Sequence, residues 1–187
     1  RSATVIDFDL SNNSFKVTRY SPASYEEDEE LLSLELSYQS YIDAGNRVLG
    51  TGPYISRQEL GAYATDALCQ YFKTDIGIIN TGGVRAYIQA GEITVSDVFD
   101  VFPFNNEVIT LKLSGSEIKA LYQKNGDFLY FNTSFDTSKL QNNSYYSIAV
   151  IDYVFTGVYY DEFKGVDFVD TDIIMRDILI NYIDNLY

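Results

Sequence analysis

There is no histidine in these 187 residues, and that absence excludes more chemistry than any residue present implies. An imidazole base, a His-bridged metal centre and a Ser-His-Asp triad are all ruled out within the chain. A metal ion could be held only by Asp, Glu, Asn and carbonyl oxygens, which suit calcium or magnesium better than zinc. Cys69 is the single cysteine, so there is neither an internal disulfide nor a Cys-based structural zinc site. On an apolar helical face it reads as a small buried hydrophobe. Basic residues are also few, 13 against 27 acids, and the net charge of −14 repels the backbone of DNA and RNA. No polynucleotide partner is expected. No apolar run is long enough for a membrane-spanning helix. The chain opens Arg1-Ser2-Ala3 with neither an initiator Met nor an apolar leader, as expected from processing, a tag remnant or an engineered boundary.

What is present is an ordinary globular composition, 46% hydrophobic and 21% charged. The length suits one domain that buries roughly 70% of its unfolded surface, with a small element attached. Residues 4–10 and 15–20 alternate as strands around a Ser11–Ser14 turn and predict a β-hairpin. A lone hairpin is marginal in water, so it is expected to belong to something else. Residues 25–46 predict a connecting helix capped by Ser24. Its acids, Glu26 to Glu30, read as a solvated helix start rather than a calcium loop, which needs spaced ligands and a Gly. Gly50-Thr-Gly-Pro53 reads as a flexible break at the domain entrance.

Ser56 and Glu59 form a capping-box pattern at the start of a helix running through Phe72. Gly61 inside it implies close packing against another backbone. Arg57, in its first turn, could point into a site or into solvent. The apolar run Ile76–Ile79 is a strand that delivers the chain to Asn80-Thr-Gly-Gly-Val-Arg85. These glycines match neither a dinucleotide fingerprint nor a P-loop. A turn at Ala90–Glu92 and a helical segment to Phe102 lead to the loop Pro103-Phe104-Asn105-Asn106. Together the two loops offer backbone N–H groups, a guanidinium, amides and an aromatic ring, which suit a flat ligand carrying hydroxyls or an anion.

Further strands are expected at 107–113, 126–131 and 145–151, with a helix starting at Ser114–Glu117 and a polar loop at 134–143. An aromatic-rich turn follows at 152–160, and a closing amphipathic helix at 170–187. Asn12, Asn132 and Asn142 head glycosylation sequons.

Taken in order, these pieces resemble the C-terminal domain of the 5′-nucleotidase family, which includes UDP-sugar hydrolases, 2′,3′-cyclic nucleotide phosphodiesterases and ecto-5′-nucleotidases. The likeness lies in Arg57-Gln-Glu-Leu-Gly61 with Thr65-Asp-Ala67, Asn80-Thr-Gly-Gly-Val-Arg85, Gly91-Glu-Ile-Thr94, Pro103-Phe-Asn-Asn106, Leu113-Ser-Gly115 and Gly126-Asp-Phe-Leu129. It covers about residues 50 to 187. The resemblance implies an α+β fold with α/β/β/α layers, preceded by a β-hairpin and a linker helix. Residues 1–24 would be the last strands of an N-terminal metallophosphatase domain, 25–49 the hinge helix, and 50–187 the nucleotide-recognition domain.

The resemblance also implies roles. Phe104 would be one plate of a nucleobase clamp and Tyr153 the other. Arg85 would reach the ribose or phosphate, Asn80 and Asn106 would bond near the base, and Gly82 and Gly83 are counted among the substrate-binding residues. Arg57 belongs to the same set. Tyr159 stands where the family has the acid that holds the ribose hydroxyls. No residue of this chain is expected to be catalytic or to hold a metal. Divalent ions would belong to the metallophosphatase domain, or to a separate phosphatase subunit, and this chain alone would hydrolyse nothing. A periplasmic, extracellular or cell-surface location is implied. The alternative is a binding-only or scaffold domain of diverged ligand specificity.

Overall fold

A computed structural model describes residues 3–9, 11, 12, 14–21, 28–157 and 160–187. They fall into two units, the first ending at Asp43 and the second running Ala44–Tyr187.

In the first unit β1 (Ala3–Asp9) pairs antiparallel with β2 (Ser14–Tyr20), as the alternation predicts. The register sets Ile6 opposite Val17 and Phe8 opposite Phe15, which places all four apolar side chains on one face. Asp7 and Lys16 pair on the other. The apolar face is bare, with Ile6 62% and Phe15 64% exposed. Where one connecting helix was expected there are two, α1 (Glu29–Ser37) and α2 (Gln39–Gly45), broken at Tyr38. The cap of α1 is Asp28, whose carboxylate accepts from the N–H groups of Glu30 and Leu31. Ser24, expected as the cap, and the first two acids of the run, Glu26 and Glu27, lie outside the described residues. No residue of α1 is buried.

The second unit is α+β, as expected. Its main sheet has the strand order β7-β4-β8-β6-β9 (Leu129–Phe131, Ile76–Asn80, Tyr145–Ile151, Glu107–Ser114 and Phe168–Ile174). Strands β4 and β8 run parallel, and every other pairing is antiparallel. A second sheet pairs β3 (Val48–Gly52) with β5 (Gly91–Thr94). The helices are α3 (Arg57–Phe72), α4 (Val95–Val101), α5 (Gly115–Asn125), α6 (Asp152–Phe155) and α7 (Met175–Asp184). Helix α3 packs on β4 and β7 and along α7. Capping boxes start α3 at Ser56/Glu59, as read, and also α4 at Thr94/Asp97 and α5 at Ser114/Glu117.

Several expectations need correction. Gly50-Thr-Gly52 is not a flexible break but strand β3. Its glycines lie under Tyr187, which a Cβ at Gly50 would overlap and a Cβ at Gly52 would meet at 2.9 Å. Gly61 packs against the Tyr130 ring rather than against backbone, so closely that a Cβ there would overlap the ring. The segment expected as one closing helix begins as edge strand β9 and becomes helix only at Met175. Asn132 cannot carry a glycan in this fold. It is buried, its Oδ1 accepts from the Gly77 N–H, and its Nδ2 donates to the Ser134 Oγ.

Cys69 is half-buried, and burial pushes its thiol up to about 11. A tenfold loss of thiolate accompanies each unit of such a rise, so Cys69 of the native protein at pH 8 is expected to react with a thiol reagent at least tenfold more slowly than the unfolded chain. As pH climbs past about 9 the unfolded chain gives up this proton first, so stability falls there. Equal labelling rates in native and denatured protein would contradict this environment.

Candidate nucleobase-binding site

Strand topology brings the candidate residues together. Because β4 and β8 are parallel, Asn80 at the end of β4 and Tyr153, just past the end of β8, arrive at the same sheet edge. Strand β6 runs the opposite way with Val108 opposite Ile151, so its start puts Asn106 there too. This is the edge of an open sheet where ligands are received.

A cavity of about 270 Å³ opens at this edge. Asn80, Gly82, Gly83 and Arg85 line one side, and Phe104, Asn106 and Tyr153 complete it. The volume lies just below the roughly 300–1,000 Å³ typical of ligand pockets, a size for one ring system. Phe104 is 49% and Tyr153 61% exposed. Neither ring has an aromatic partner among the described residues, and each exposes surface on which a flat ligand can stack.

The local sequence explains each position. Thr81–Gly83 forms a 3-10 turn beyond β4. Neither glycine has a positive φ. Gly83 lies close to Asn80, and a Cβ there would come within 2.9 Å of the Asn80 Oδ1 and push that side chain aside. The Arg85 backbone N–H donates to the Val101 carbonyl at 2.8 Å, fixing the main chain while the side chain stays exposed. Its Nη1 donates to the Gly82 carbonyl at 3.3 Å. The Asn106 Nδ2 donates to Asp152 Oδ1 at 2.8 Å, and the same oxygen accepts from the Tyr153 N–H at 2.7 Å. One carboxylate thereby ties the Phe104 loop to the segment carrying Tyr153.

Sequence reasoning missed Arg176, the residue that holds the Phe104 loop. It sits on α7, 5% exposed. Its Nη1 donates to the carbonyls of Phe102 and Phe104 at 2.9 and 3.2 Å, and its Nη2 to Asn105 Oδ1 at 2.7 Å. The guanidinium stands 3.8 Å over the Phe99 ring. Burial lowers its pKa from the ordinary arginine value. The Met175 N–H adds a bond to the Asn106 carbonyl. The only signal in the sequence was a lone cation in the apolar stretch Ile173–Ile180.

Two further residues were expected here. Arg57 is the exposed first residue of α3 and is not among the residues lining this cavity. Tyr159 lies outside the described residues.

Residues 41–132 match the family model for the 5′-nucleotidase, C-terminal domain. The chain carries a 5′-nucleotidase C-terminal domain. Over 93 residues it is 34% identical to a 5′-nucleotidase of Vibrio cholerae, a match covering 50% of this chain and 16% of that protein. Over 49 residues it is 41% identical to the NAD 5′-nucleotidase of Haemophilus influenzae, covering 26% and 8%. The crystal structure of a 5′-nucleotidase precursor from Thermus thermophilus superposes with a TM-score of 0.69 at 21% identity, over 99% of this chain and 46% of that one. The matches to curated relatives thus span a small part of their length. The matched 5′-nucleotidase residues contain both loops of the cavity, while Tyr153 and Arg176 lie beyond them.

Proposed function

We propose that this domain is the substrate-recognition part of a metal-dependent 5′-nucleotidase-type phosphohydrolase. The base is held between Phe104 and Tyr153, Arg85 meets the ribose or phosphate, and Asn80 and Asn106 bond near the base. The observation that carries this reading is the convergence of two loops and Tyr153, read separately along the chain, on one cavity. No His is present, so nothing here fits a metal centre of mixed imidazole and carboxylate ligands. That centre, and the metal-bound water that attacks phosphorus, would come from an N-terminal metallophosphatase domain or a phosphatase subunit. Location outside the cytoplasm is part of the same proposal and rests on the family alone.

Titration calorimetry of the purified chain with AMP tests the reading. Stacking contributes about 1–3 kcal/mol per base, so Phe104→Ala is expected to weaken binding by roughly 5-fold to 150-fold, and Tyr153→Ala similarly. Tyr153→Phe should bind as the wild type does. Saturable binding unchanged in both Ala variants would overturn the clamp, and no binding by a folded sample would favour the scaffold alternative.

The hairpin supports the partner domain. A two-stranded sheet that exposes Ile6, Phe8, Phe15 and Val17 on one face lacks the burial that keeps such ribbons folded in water, so this ribbon is read as the end of a larger sheet. In the isolated chain the amides of β1 and β2 are expected to exchange with solvent within seconds while those of β8 are protected. Adding the metallophosphatase domain should slow β1 and β2. Protection equal to that of β8 in the isolated chain would contradict this.

A further inference from the structure

The clamp cavity has a neighbour that no role above uses. A second cavity, of about 460 Å³, shares Asn80, Gly82 and Tyr153 as wall with the first. Its other walls are Thr81, Asn125, Phe128 and Tyr160. The topology explains the juxtaposition. Strand β7 runs antiparallel to β4 with Leu129 opposite Asn80, so Phe128 falls beside the Thr81–Gly83 turn. Three features then point to a ligand. Phe128 is 65% exposed and has no aromatic partner among the described residues, which leaves its ring free to stack. The Nδ2 of Asn125 is shielded from water yet has no hydrogen-bond acceptor. Among the described residues no charged side chain lines the cavity.

We infer that this is a second aromatic subsite, which takes an uncharged flat ring bearing a carbonyl acceptor. The ring would lie against Phe128 and Tyr153, and a turn of the Asn125 carboxamide about χ2 would offer its N–H₂ to the carbonyl. An anion is disfavoured, since no cation lines the walls. As an extension of the clamp this assignment rests on the nucleobase reading, and implies a ligand with two ring systems, one on each side of the wall that Tyr153 shares. The subsite itself can be tested separately.

The probe is hypoxanthine, an uncharged purine with a carbonyl, titrated into the full 187-residue chain and followed by NMR. The Asn125 carboxamide and Phe128 ring signals are expected to shift and saturate, and to do so at least fivefold more weakly in Phe128→Ala. Signals of the Asn106 carboxamide and the Phe104 ring should follow the clamp and be lost in Phe104→Ala, leaving Asn125 responsive. If only the clamp signals move, the subsite is overturned and the nucleobase reading stands. If only the Asn125 and Phe128 signals move, the subsite stands and the clamp falls. If neither set moves, both are overturned.

Discussion

Replacing Gly77 by Ala is expected to destabilise the second unit by about 3 kcal/mol or more, at the top of the range for overpacked cores. A Cβ at Gly77 would overlap the Thr65 carbonyl oxygen and lie 3.2 Å from the Cys69 Sγ. The first of these is backbone of α3, so no side chain can rotate away. Strand and helix would have to separate. Such a shift would also pull on the Gly77 N–H bond to Asn132, which links β4 to the turn after β7. At roughly 2–4 °C per kcal/mol for a chain of this size, melting should fall by about 6–12 °C. A variant melting within about 2 °C of the wild type would mean that helix and strand are not in contact as described.

The second large effect concerns Arg176. Its replacement by Met keeps the length of the side chain but leaves the Phe102 and Phe104 carbonyls and the Asn105 amide without their donor. Exchanging a whole buried ionic group for apolar neighbours can be neutral, but here the acceptors stay behind, and each unsatisfied buried group costs about 1–3 kcal/mol. A loss of roughly 2–3 kcal/mol is expected in urea unfolding. Nucleotide affinity should fall about tenfold, because Phe104 stands on the loop these bonds fix. Arg176→Lys should rescue little, since one ammonium cannot fork across three acceptors. The affinity distinguishes this account from a purely structural one. If Arg176→Met lowered stability and left AMP binding unchanged, Arg176 would not position the clamp.

How much could be read beforehand depended on whether the signal was local. The strands β4, β6 and β8 are apolar runs bounded by turn residues, and Ser56/Glu59 announces its helix within four residues. Strand β9 was misread because Asp170 and Asp172 make it polar and it lies at the sheet edge, where little is buried; Asp172 even takes a positive φ of 54°. Gly50 and Gly52 suggested flexibility, when their smallness makes room for Tyr187, which arrives from the far end of the chain. In the site the same division holds. Asn80 ends an apolar strand, Arg85 and Phe104 sit in loops whose composition shows them, and Tyr153 came from the family resemblance. The grip of Arg176 on residues more than 70 positions away leaves no local trace.

The central claim is that Phe104 and Tyr153 hold one base between them, and a crystal structure of this chain grown with adenosine tests it most directly. The account predicts the purine ring stacked between the two side chains, with its edge within hydrogen-bond reach of Asn80 or Asn106. Adenosine bound elsewhere, with the Phe104–Tyr153 gap closed or empty, would contradict it.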